Sequence, residues 1–340
     1  MVGLTLNTFD RPLQVLDCRW LLALYAVVPV SLALVLIDSL VLDGRLLRQH
    51  IPVDPMQWPF WTVIFGLPHI VASLLTMADS EYISHYRRSL LLPFMGFAGL
   101  TSLAIFGPQP LGEQSMFIFL AFYTIYHVLA QQLGLTLMMM GVPPSGVFKT
   151  WKWLSILCGF VIYVTVYSAS LLGYELFAGV SAFEFLMAIA GLMCAAVIVL
   201  AFRLTRTSRN RIGVWYLWSN VAMLTSVLLI HEIGYTLFVI LIPRVIHDIT
   251  AFMIYITHDT NRNRAAPVNL VYRLTHFSKL PPIIVLPAAS IAIAYVLTSL
   301  QDDYRLAVVF ALTITLVHYY FEGFIWRGGN PHRQHIEFRR

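Results

Sequence analysis

Of the eleven histidines in this 340-residue chain, four sit in apolar stretches: His69 (in "FGLPHIVASLL", 65–75), His127, His247 and His318. An imidazole placed there has a short list of uses: a hydrogen bond to a neighbouring helix, a proton relay, or a metal ligand. Polar neighbours at helical spacing are consistent with the last. Ser73, Gln131 and Glu322 follow His69, His127 and His318 by four residues, which puts each on the face of its histidine. A metal-bound histidine usually donates its other N–H to a carboxylate, carbonyl or water. Glu322 is the foremost partner of this kind, with Asp248, directly after His247, and Tyr255 behind it. We take Glu322 and Tyr255 as the candidate catalytic side chains and Gln131 and Asp248 as supports of the ligands.

The composition defines the medium. The chain is 59% hydrophobic and 11% charged, with a mean hydropathy of +0.75, against about 25% charged residues in soluble domains. It reads as an all-α, polytopic membrane bundle forming one domain, 1–340. A crossing needs about 20 mostly apolar residues, which predicts helices at 20–42, 58–77, 89–107, 115–141, 151–173, 180–203, 213–233, 236–258, 281–299 and 305–326. The split at "HEIGY", 231–235, divides one long apolar run. If both termini are cytoplasmic, eighteen of the 22 Lys and Arg residues fall on inward segments and three on outward ones, as positive-inside topology requires. The bases are spread over short loops, so the net charge of +5 implies no nucleic-acid partner. The partner is the lipid bilayer, and a bacterial cytoplasmic (inner) membrane is the expected location. The first apolar run, from Trp20, reads as a retained helix. Cys18, Cys158 and Cys194 lack metal-site spacing and read as packing residues. The loop 259–280 turns amphipathic late and predicts a short interfacial helix.

With directions assigned, the four helices carrying the apolar histidines all run from outside to inside. Each histidine lies 11 to 13 residues from the outer end of its helix, so at 1.5 Å per residue the four fall within roughly 3 Å of one level. Ionisable groups at such a depth are expensive and face a bundle interior or cavity. Four at one level point to one shared metal ion. Imidazole suits iron, copper, zinc and nickel, and an all-histidine set with open positions suits a non-haem Fe(II) that binds dioxygen or substrate. A second polar cluster, His85, His258, His332 and His335, falls at the inner face. Solvation is the expected state of these, with a second metal or an anionic head group as the alternative. Arg244 is expected to pair with Glu232, and His231 with Glu232 to cap the turn between two helices. Met138 to Met140 read as packing. Trp61, Phe65, Tyr123, Tyr126, Tyr255, Tyr319, Tyr320 and Phe321 are candidates to shape a channel for an apolar molecule.

"GLPH" in the second span, the histidines on several helices and the segment "HDITAFMIYITHD" resemble the Brp/Blh-like β-carotene 15,15′-dioxygenases, polytopic proteins that cleave a carotenoid with histidine-ligated iron. "VHYYFEGFIWR" resembles a signature of bacterial polytopic membrane proteins. The first resemblance implies His69 as a ligand. Together these readings give the expected function: a membrane oxygenase using Fe(II) and dioxygen on an apolar, membrane-dissolved substrate such as a carotenoid, isoprenoid or acyl lipid. Two alternatives stay open, a proton-coupled transporter with a histidine relay and a haem-binding electron carrier. Stoichiometric metal in the purified protein favours the enzyme over the transporter, and a haem spectrum identifies the carrier.

Overall fold

The structure, a computed structural model, describes residues 13–52, 64, 66–264 and 266–340. Among the described residues nine helices are long and apolar enough to cross a membrane. They are α1 (Cys18–Leu40, with one tighter turn at Leu24–Ala26), α3 (Ser80–Phe106), α4 (Leu111–Met140), α5 (Gly146–Tyr167), α6 (Ala182–Thr205), α7 (Arg211–Ile233), α8 (Thr236–Arg262), α10 (Pro282–Asp303) and α11 (Arg305–Ile325). Shorter helices are α2 (Leu67–Met77), α9 (Leu270–Ser278) and α12 (Pro331–Gln334), and the described residues also form the short strands β1 (Val15–Asp17), β2 (Glu175–Phe177), β3 (Val180–Ser181) and β4 (Glu337–Arg339). The protein is an all-α integral membrane bundle.

Nine of the ten expected crossings are present. For the tenth, 58–77, the structure gives the eleven-residue α2, while 58–63 and Phe65 lie outside the described residues. Two boundaries are corrected. α3 begins at Ser80 rather than 89, because Asp79 caps it by accepting from the Glu81 N–H at 2.8 Å. Polar residues thus carry the helix past its apolar part, which hydropathy alone does not see. α5 ends at Tyr167 rather than 173, and the chain turns at Ser168 into the β2–β3 hairpin. The split at "HEIGY" holds. Gly234 ends α7 with φ +91° and donates its N–H back to His231 and Ile230, a left-handed cap that only glycine adopts at no steric cost. The short helix expected within 259–280 is α9.

The chain divides into two compact units. One draws its described residues from Cys18–Trp61, Gln114–His247 and Arg340. Within it α5 packs along α6, α6 along α7, and α1 and α5 along α7. Glycine lets α7 meet the end of α4 closely: a Cβ on Gly213 would stand 2.5 Å from backbone atoms of Met140. Met139 and Met140 are fully buried, as packing residues should be. The three cysteines are buried, and among the described residues none forms a disulfide. A polar knot ties this unit together. Tyr216 and Tyr25 donate to Gln132 Oε1 at 2.7 and 3.2 Å, and Asn220 Nδ2 donates to Thr136 at 3.2 Å. Buried polar groups in an apolar bundle persist only when so satisfied.

The other unit draws its described residues from Met1–Asp17, Thr62–Glu113 and Asp248–Arg339. α11 packs along α3, and α10 along α2. The chain ends are fastened by β1 and β4, which pair in parallel with Val15 opposite Glu337. Asn261 holds both ends, donating to the carbonyls of Gln14 and His335 at 2.8 and 2.9 Å. In the apolar windows of α11 and α8, 61% and 56% of residues are buried, against 11% in α3. The two most enclosed helices carry His247, His258 and His318, while α3 shows side chains such as Leu92, 74% exposed, to its surroundings.

Candidate metal centre

In the unit that holds α11, His69 and His318 are buried, 1% and 0% exposed, with ring centres 4.9 Å apart and planes at 72°. α2 delivers His69: Gly66 precedes the helix with φ +90° and Pro68 stands in its first turn, where proline is tolerated because its missing N–H has no intrahelical role. The Gly66 N–H donates to Asp248 Oδ2 at 2.9 Å, and Asp248 Oδ1 lies 3.0 Å from His69 Nδ1. A carboxylate at that distance favours the proton on Nδ1 and makes Nε2 the lone-pair nitrogen. His318 is set in the same way by a different group. Ser73 donates its hydroxyl proton to the Ile70 carbonyl at 2.8 Å, so it meets His318 Nδ1, 2.6 Å away, as an acceptor. Nε2 again becomes the lone-pair nitrogen. One turn past His318, Glu322 is buried and accepts a short hydrogen bond from the Tyr255 hydroxyl.

The unit that holds α4 to α7 carries a second pair. His127 on α4 and His247 on α8 are buried, with ring centres 4.9 Å apart and planes at 79°. With a metal–nitrogen bond of about 2.1 Å, two imidazoles on one ion put their ring centres about 4.6–5.3 Å apart at right or tetrahedral angles, and about 6.5 Å apart when trans. Both pairs have the spacing of adjacent ligands, and neither has the spacing of a trans pair. These buried histidine clusters could hold a metal ion. Gln131, the expected support of His127, is half-buried, and the neighbouring Gln132 anchors the polar knot.

The second cluster contradicts the expected solvation. His258 and His332 are fully buried, and among the four only His85 is exposed, with His335 half-buried. His258 Nδ1 donates to Asp259 at 3.0 Å, and Nε2 accepts from Tyr82 at 2.8 Å. His332 lies between rings. Its centre is 3.9 Å from Tyr82 and 5.0 Å from His258, with planes at 27° and 15°, and Tyr86 OH stands 3.3 Å from its Nδ1. Burial, with the charges of neighbouring histidines and Arg262, holds His332 at about 2 and pushes His335 below its ordinary value. His258 and His332 thus form a packed stack and not a solvated patch.

Two further expectations are corrected. His231 bonds Thr165 on α5 through Nε2 at 2.9 Å instead of capping its own turn, because it lies on the buried face of α7. Glu232, the expected partner of Arg244, is exposed at the end of α7, and Arg244 lines an apolar pocket. That pocket is bounded mainly by aliphatic side chains with Tyr163, and by none of the aromatic residues singled out in the sequence; Trp61 and Phe65 lie outside the described residues. Sequence reasoning also missed Asp38, fully buried on α1, which accepts from the Leu46 and Arg48 N–H groups and from Tyr235. Its signal was available: Asp38, Gln132 and Asn220 are each polar residues inside apolar runs. No protein-family model, curated protein or solved structure matches this chain.

Proposed function

We propose that His69, His127, His247 and His318 hold one non-haem ferrous ion and that the protein is a membrane oxygenase acting on an apolar, membrane-dissolved substrate. The observation that carries this reading is the repeated edge-to-face pair: His69 with His318 and His127 with His247, each at 4.9 Å, the spacing of adjacent ligands on one ion. His247 and Asp248 are consecutive on α8, so one helix supplies a ligand from one pair and the carboxylate that orients a ligand of the other. The local resemblance to the Brp/Blh-like dioxygenases points the same way. The orientation that goes with it places both termini in the cytoplasm of a bacterial inner membrane.

The donor set fits iron. Four neutral imidazoles add no negative charge, and a site with open positions suits a metal that binds dioxygen or substrate directly. A ferrous ion would supply the electrons for dioxygen chemistry. The chain's own residues do the rest. Asp248 and Ser73 hold the protons of His69 and His318 on Nδ1, which fixes ring orientation and raises ligand basicity. Tyr255 donates to Glu322 and keeps that carboxylate fixed one turn from His318, where it can take or return a proton. Apolar helices around the site keep water from reactive species.

The haem reading fits less well, because ligands on opposite faces of a haem are trans and both pairs are too close for that. The test is oxygen incorporation. Purified protein reconstituted with Fe(II) and supplied with membrane-extractable lipids under ¹⁸O₂ should place ¹⁸O in a lipid product, and His247→Ala should abolish it. Product formed without oxygen, or full activity in the variant, contradicts the proposal and favours a proton relay.

A further inference from the structure

Tyr82, His258 and Asp259 are each 0% exposed and form one hydrogen-bonded line in the unit that holds α11. The Tyr82 hydroxyl donates to His258 Nε2 at 2.8 Å, and the Nδ1–H of the same ring donates to Asp259 Oδ1 at 3.0 Å. A buried carboxylate on Nδ1 holds an imidazole in one tautomer and stabilises the imidazolium when the ring takes a proton. The line therefore joins a phenol to a proton acceptor already in place. Arg262 stands over the same phenol, its guanidinium carbon 5.0 Å from the ring centre. A cation there opposes positive charge on the ring, which favours loss of an electron only together with loss of the phenolic proton. Aromatic contacts continue from this phenol toward Glu322. The Tyr82 ring centre is 3.9 Å from that of His332, His332 is 5.5 Å from Trp326, and Trp326 is 6.1 Å from Tyr255 with planes at 25°. Tyr255 in turn donates its hydroxyl proton to Glu322, one turn from His318. At the other end Glu81 and Ile83, the chain neighbours of Tyr82, are exposed, so the run ends close beneath the surface of the unit.

We infer that Tyr82 is a redox-active tyrosine, which gives one electron to a strong one-electron oxidant as its phenolic proton passes to His258. The products are a neutral tyrosyl radical and a His258 imidazolium paired with the Asp259 carboxylate. Reduction by one electron returns the proton to the oxygen and restores the phenol. An oxidised phenol is a strong acid, so the proton moves downhill over a hydrogen bond of 2.8 Å, and imidazole is the side chain suited to take it and give it back. Burial keeps water from the radical once it has formed. The source of the oxidant rests on the oxygenase reading: iron that has reacted with dioxygen in the absence of substrate is an oxidant of this class, and Trp326 and His332 lie between Glu322 and Tyr82. The redox chemistry of Tyr82 itself needs no iron.

The test oxidises full-length, metal-free protein in detergent with flash-generated ruthenium(III) tris-bipyridine, persulfate being the electron acceptor, and reads the frozen sample by electron paramagnetic resonance. A neutral tyrosyl radical should appear, hydrogen-bonded at its oxygen, with a strongly coupled exchangeable deuteron after equilibration in heavy water. Tyr82→Phe should lose this signal and keep only radicals of exposed tyrosines such as Tyr295 and Tyr304, and His258→Phe should lose the deuteron coupling. 3-Fluorotyrosine in place of Tyr82 keeps the hydroxyl and the packing, so it should split the signal by fluorine hyperfine coupling whether or not either substitution folds. A signal that the fluorine does not split, or that Tyr82→Phe leaves unchanged, overturns the inference. In iron-loaded protein given dioxygen without substrate the same radical should form, and Trp326→Leu should remove it there while leaving the photo-oxidised one. The two proposals fail separately. A fluorine-split radical in protein that takes up no iron sinks the oxygenase reading alone, and iron uptake without a photo-oxidised radical at Tyr82 sinks the tyrosine alone.

Discussion

His69 and His258 are both buried histidines of the same unit, and their surroundings make opposite uses of the ring. His69 meets a carboxylate at Nδ1 and a second imidazole edge-on at 4.9 Å, so its other nitrogen is the acceptor. His258 has both nitrogens engaged, one on Asp259 and one on Tyr82, and lies nearly parallel to His332 at 15°. In-plane lone pairs on parallel stacked rings do not converge on one point, whereas those on edge-to-face rings can. The difference teaches that neither burial nor the number of histidines makes a ligand set; the partner on the second nitrogen and the angle between rings do.

Substitution should break this comparison most visibly at the edge-to-face pairs. Alanine at His69 or His318 should remove bound iron and oxygen-dependent turnover, while His258→Phe, which keeps a ring in the stack, should retain iron. Iron lost equally from all three would show that the stack matters as much as the pairs. Asp248→Asn comes next. Replacing the group that sets the His69 tautomer should weaken iron binding by roughly 10–100-fold with the fold intact, read by competition with a chelator. Unchanged affinity would remove Asp248 from the account.

The stack itself should be sensitive to pH. His332 is held at about 2 in the folded protein, and His335 is also lowered, both from an ordinary value near 6.5. The unfolded chain therefore binds more protons in that window, and stability rises with pH. The stabilisation is complete above about 6.5 and falls as pH drops through the window below it, by up to about 1.4 kcal/mol per pH unit for each group. The protection of amides over 330–340, taken relative to the intrinsic exchange rate at each pH, should fall between pH 6.5 and 4.5, and His332→Phe should flatten that dependence. The smallest effect belongs to Arg339, paired with Asp17 at 2.6 Å but 72% exposed. Arg339→Ala should cost less than about 1 kcal/mol in thermal unfolding, as exposed pairs do, and leave iron content unchanged.

Much of this was legible in the sequence, for reasons that also mark its limit. Apolar runs register burial in lipid directly, so nine helices could be placed within a few residues at most ends. The errors fell where local polar chemistry sets the boundary, at the Asp79 cap of α3 and the Ser168 turn after α5. Glu322, Asp248 and Tyr255 were singled out from type and spacing as partners of the histidines, and Asp248 does stand beside His69; the bond between Tyr255 and Glu322 was not foreseen. Nor were the edge-to-face geometry, the Ser73 contact with His318 and the stack around His332, because each depends on which helices pack together, and helix-to-helix register leaves little trace in one sequence.

The most direct test of the central claim is iron X-ray absorption on the reconstituted wild-type protein. Four histidines on one non-haem ion predict a first shell of nitrogen near 2.1 Å with the multiple-scattering pattern of about four imidazoles. A shell with two imidazoles, a porphyrin signature, or protein that takes up no iron would contradict it.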